Sequence, residues 1–93
     1  MARKVERRRV LNFLISKRKQ EEKFLQATEK FLTGIRSEMV VLSDMGVQPW
    51  EMEELQKQER EGMTAKTEAE RDIRRYNEAI NIVETYLAEQ GVL

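Results

Sequence analysis

Ninety-three residues, 37% charged, 40% apolar and 6% aromatic, with one Pro and four Gly, point to one helical domain and against a sheet. Cys and His are both missing, which excludes disulfides and thiolate metal sites and removes the commonest metal ligand and the commonest general base. Seventeen bases and seventeen acids cancel overall, yet residues 1–19 hold eight bases against one acid, and residues 20–93 hold nine bases against sixteen acids.

The chain therefore reads as a single helical domain over 1–93 in which 1–19 is a basic N-terminal arm. Its bases are Arg3, Lys4, Arg7, Arg8, Arg9, Lys17, Arg18 and Lys19, around an apolar island of Val10, Leu11, Phe13, Leu14 and Ile15. Such an arm suits nucleic acid, whose phosphates clustered Arg and Lys neutralise, or an acidic protein surface, including that of a second copy. The island is too short to span a bilayer or to form a signal-peptide core, so no membrane span is expected and the chain is placed in the cytoplasm. Bases and apolar residues alternate along the helix instead of separating around it, which argues against a membrane-surface helix.

From about residue 3 to 43 only Gly34 interrupts helix-forming sequence. Leu11 and Leu14, then Leu25, Thr28, Leu32, Ile35, Met39 and Leu42, recur at three-four spacing, the mark of one helix face. Phe24, Phe31 and Val40 widen this stripe, and the two phenylalanines are expected in the core. The polar run Ser16 to Lys23 is either a solvated waist in one helix or a hinge between two.

The segment 43–49 is the strong turn signal, with Gly46 suited to a helix C-terminus and Pro49 to the first turn of the next helix. Glu51, Glu53 and Glu54 follow where acids favour a helix N-terminus, and Trp50 is expected to cover the end of the bundle. Residues 50–61 are helical but poor in core residues, Met52 and Leu55 standing nearly alone. Met39, Met45, Met52 and Met63 read as gap-fillers near the turn. A second stripe, Ala69, Ile73, Tyr76, Ile80, Val83 and Leu87, is the most regular in the chain. Thr67 with Glu70 has the form of a capping box ahead of it, and Gly91 that of a stop behind it.

The fold expected is all-α, a long antiparallel hairpin with arms at about 3–43 and 50–90, the second open to a break near 62–66. A three-helix bundle is the alternative. A turn near Gly46 sets the apolar 24–42 against the polar 51–69, so one chain matches its stripes badly. Oligomerisation is expected to complete the core. The seam for core and self-association is Leu11, Leu14, Leu25, Leu32, Ile35, Met39, Leu42, Ile73, Tyr76, Ile80, Val83 and Leu87.

Without His or Cys, a Ser–His or Cys–His nucleophile pair is impossible, and the scattered glycines form no phosphate loop. The function expected is non-enzymatic and free of cofactors: a self-associating interaction, adaptor or regulatory protein that binds a macromolecular partner. A nucleic-acid binder working through the basic arm is the first alternative. A binder of small anions such as nucleotides at a subunit junction, gripped by Arg74, Arg75 and Tyr76, is the second.

Overall fold

In a computed structural model, which describes residues 2–91 and the side chains of 6–91, the chain folds as a two-helix hairpin. Helix α1 runs Ala2–Asp44, a short 3₁₀ turn covers Pro49–Met52, and α2 runs Glu53–Glu89. A 43-residue helix is roughly 65 Å long at 1.5 Å per residue, and the molecule measures 67 × 16 × 14 Å. Its radius of gyration, 20.3 Å, far exceeds the roughly 12 Å of a compact domain of this length. Every residue therefore lies near the surface, and burial is confined to the line where the helices meet.

The turn is closed by its glycine. Gly46 has φ of +79°, a conformation that costs side-chain-bearing residues a Cβ clash. The Gly46 N–H donates to the Ser43 carbonyl at 3.0 Å and the Val47 N–H to Leu42 at 3.1 Å, the paired bonds of a Schellman ending. Glu51 then accepts from the Gln48 N–H at 3.2 Å and fixes the entry into the second arm. Gly91, with φ of +70°, ends α2 in the same manner, its N–H donating to the Ala88 carbonyl at 3.0 Å.

The register is the one the turn dictates. Arg36 meets Glu59, Arg18 meets Asn77, and Arg7 lies over Tyr86. The core falls in two patches along the seam. At the open end Leu11 packs with Ile80, Val83 and Leu87, flanked by Leu14, Ile15 and Tyr86. Nearer the turn, Leu32 and Ile35 are buried, as are Gly62 and Ala69 on the facing helix. Small residues on α2 make room for the large side chains of α1 here: a Cβ at Gly62 would stand 2.7 Å from Leu32 Cδ2. That room is how an apolar stretch of α1 finds cover against a thin stretch of α2.

Five expectations are corrected. α2 is continuous through 62–66, so neither the break nor the three-helix bundle forms. α1 is continuous through 16–23, so there is no hinge. Thr67 is not a cap but a mid-helix residue whose hydroxyl donates to the Met63 carbonyl at 3.0 Å, as Thr28 does to Phe24 at 2.9 Å. Trp50 does not cover the end of the hairpin and stays 67% exposed, because two helices leave no third surface for it to lie on. Phe24 and Phe31 are not core, at 51% and 46% exposed, since one partner helix covers only the seam and not its flank.

Candidate functional site

The helices meet along the seam residues. Leu11, Leu32, Ile35, Ile80, Val83 and Leu87 are buried, and Leu14, Leu25, Met39, Leu42, Ile73 and Tyr76 are half-buried. This arrangement is formed within a single chain. The hairpin then presents two unlike edges on either side of the seam.

One edge is polar. Arg36 Nε donates to Glu59 Oε2 at 2.9 Å, and its Nη2 lies 3.1 Å from the Met63 sulfur. Further along, Arg18 Nη1 donates to Asn77 Oδ1 at 2.9 Å. Arg18 Nε lies 3.5 Å from Glu22 Oε1, an ion-pair distance that is not a hydrogen bond; the nitrogen is itself buried without a hydrogen-bond partner.

The other edge is apolar on α1. Val10, Phe13, Phe24, Phe31 and Val41 are all exposed, and each sits one residue before a seam residue. A one-residue step is about 100° around a helix, so these side chains form a second ridge beside the seam. Ala27 and Gly34 share the ridge and are small and exposed. Lys17 lies 5.5 Å from the Phe13 ring centroid. A shallow open groove bounded by Ala27, Phe31, Gln58, Glu61 and Ala65 shows that the ridge and the acidic flank of α2 belong to one face. At the open end Arg7, with its guanidinium 5.0 Å from the Tyr86 ring centroid, and Val10 adjoin α2 on this same face.

The basic arm is divided. Arg7 is engaged by Tyr86 and Arg18 by Asn77 and Glu22. Arg8, Arg9 and Lys19 are exposed, and Lys17 is half-buried. The side chains of Arg3 and Lys4 lie outside the described residues. The anion trio does not converge: Arg74 and Arg75 are exposed while Tyr76 is turned into the seam, as successive helical positions must diverge. Among the described residues no three acidic side chains gather to hold a metal ion, and no helix is long and apolar enough to cross a membrane.

The ridge was the feature least visible in the sequence, because Phe24 and Phe31 read as widening the first stripe. The signal was there in part: positions 24, 27, 31 and 34 keep the three-four rhythm in their own right, and 10, 13 and 41 fall on its extension through the polar Lys17, Gln20 and Glu38. What the fold and surface define is a class of molecule, a helical hairpin with ion-paired and hydrogen-bonded side chains on one edge and a row of exposed apolar residues of α1 beside an acidic flank of α2 on the other. Comparison with models of known protein families, with curated proteins and with solved structures gave no match.

Proposed function

We propose that this chain is a non-enzymatic interaction protein, an adaptor or regulator, that self-associates and presents its basic arm to an acidic macromolecular surface. The observation that carries this reading is the exposed apolar ridge on one edge of α1. Three phenylalanines 46–58% exposed lie along one line there, and aligned apolar side chains, unlike singly scattered ones, mark a contact surface. The basic arm adds direction, since residues 6–19 hold six bases against one acid and end at the open end of the hairpin. Apolar contact supplies affinity in such a surface, and exposed charge pairs, worth about 0–1 kcal/mol each, supply orientation.

Nucleic acid is the second reading, favoured by the outward placement of Arg9 and Lys19. Arg7 and Arg18 are already engaged within the hairpin, which leaves fewer bases for phosphates. The test is the variant Arg9→Glu/Lys19→Glu, compared with wild type by sedimentation velocity at low and high salt. The protein-contact reading expects weaker association at low salt and little difference at high salt, with unchanged helix content. Association identical to wild type at low salt would remove Arg9 and Lys19 from the protein contact, and a mobility shift with duplex DNA or RNA that only the wild type gives would turn the reading toward nucleic acid.

A further inference from the structure

We propose that a second copy of this chain covers the apolar ridge, with the two α1 helices packed antiparallel, Phe24 of each against Gly34 of the other and Phe31 against Ala27. The proposal rests on the binding reading above and names its partner. It follows from the order of residues on the ridge, from the distribution of charge and from the area available.

A two-fold interface brings the same surface together from both copies, so the ridge must complement itself. In antiparallel pairing with its centre between Ala27 and Phe31, each large ring meets a small residue. A Cβ at Gly34 would touch nothing within 4 Å, so there is room for a ring there. Gln20 then meets Glu38, and Lys17, whose ammonium lies 5.5 Å from the Phe13 ring centroid, comes beside Val41. Phe13 reaches Met45, which is 72% exposed at the turn, and because the chain folds back through Pro49–Met52, Trp50 and Glu51 lie level with the Phe13 end of the partner's ridge while Arg7–Arg9 extends past the turn. A slip of one heptad one way would set Phe13 against Glu38 and Gln20 against Phe31, and a slip the other way would keep Phe31 against Gly34 but oppose Phe24 to Val41, two large side chains, and Ala27 to Glu38.

Charge selects the same orientation. Residues 6–19 hold six bases and one acid, and residues 43–62 around the turn hold six acids and two bases. Antiparallel hairpins bring the Lys17–Lys19 part of the first stretch level with the acidic turn of the other copy, twice. Hairpins packed with their turns together would oppose the two acidic ends. They would also set the phenylalanines of α1 over Glu54, Glu61, Glu68 and Asp72 on the flank of α2.

The area is adequate. A phenylalanine offers roughly 200 Å² to burial, so Phe13, Phe24 and Phe31, at 58%, 51% and 46% exposed, contribute roughly 300 Å² per copy. Val10, Val41, Met45 and the stems of Lys17 and Glu38 extend this toward the 1,200–2,000 Å² total of a standard interface.

The test uses the full chain, which contains no Cys. Gly34→Leu fills the receiving site while favouring the helix, and is expected to weaken dimerisation roughly 30-fold or more. Adding Phe24→Ala, which moves the bulk to the opposite side of the contact, is expected to restore most of it. A nitroxide on Asn12→Cys, at an exposed position off the ridge, is expected roughly 50 Å from its counterpart, against roughly 25 Å if the turns lie together. A dimer that Gly34→Leu leaves intact, or one with the short distance, overturns this arrangement and leaves the self-association reading standing. A wild type that stays monomeric at millimolar concentration overturns both.

Discussion

Gly62 should resist the substitution that ordinarily stabilises a helix. Replacing a mid-helix Gly with Ala gains about 1 kcal/mol from backbone entropy and propensity. Here the new Cβ would stand 2.7 Å from Leu32 Cδ2 and 3.2 Å from Leu32 Cγ. Leu32 is 2% exposed, so moving it aside means repacking a buried side chain. Overpacking of this kind costs typically about 1–3 kcal/mol, which outweighs the propensity gain and leaves Gly62→Ala less stable by about 1 kcal/mol. For a chain of this size that lowers the thermal midpoint by about 4–8 °C. The decisive assay is a double-mutant cycle with Leu32→Val, followed by circular dichroism at one fixed protein concentration. Valine lacks the δ-methyl that would stand at 2.7 Å but keeps γ carbons near the 3.2 Å contact, so in that background Gly62→Ala should cost clearly less than in the wild type. If Gly62→Ala raises the midpoint in the wild-type background, the close approach of Leu32 to α2 at this point is wrong.

Other substitutions test the remaining parts of the fold. Leu87→Ala removes a side chain with no exposed surface and should cost about 2–5 kcal/mol in urea unfolding, whereas Ile82→Ala, at a site 70% exposed, should stay within about 0.5 kcal/mol. Gly46→Ala forces a side chain into positive φ and should cost about 1–2 kcal/mol, with Gly46→Asn losing less. Glu59→Gln removes a partly exposed ion pair with Arg36 and should change the melting midpoint by no more than the roughly 1 kcal/mol such pairs are worth, less as salt is raised. Trp50, the single tryptophan, should be open to acrylamide quenching in dilute solution and become less so as protein concentration rises.

The hairpin was legible because its two strongest signals are local. Gly46 and Pro49 punctuate the turn, and the stripe ending at Leu87 fixes which face of α2 turns inward. The continuity of α2 was harder to see, since Gly62 and the Thr67–Glu70 pair both imitate a boundary. Tertiary packing overrides both: Gly62 is needed for the approach of Leu32, and the Thr67 hydroxyl finds the Met63 carbonyl within the helix. The two phenylalanines were misplaced for a different reason. Periodicity tells that residues share a face, but a ridge about 100° from the seam is core in a bundle of four helices and surface in a bundle of two. Phe24 and Phe31 thus carry a core pattern in the sequence and a surface position in the hairpin.

Sedimentation equilibrium of the wild-type chain tests the account at its centre, because it gives mass independently of the elongated shape. Run from low to high micromolar concentration, with and without duplex nucleic acid, it should rise from 11.0 kDa toward twice that value in protein alone. A mass of 11.0 kDa at every concentration, rising only when nucleic acid is added, would contradict it.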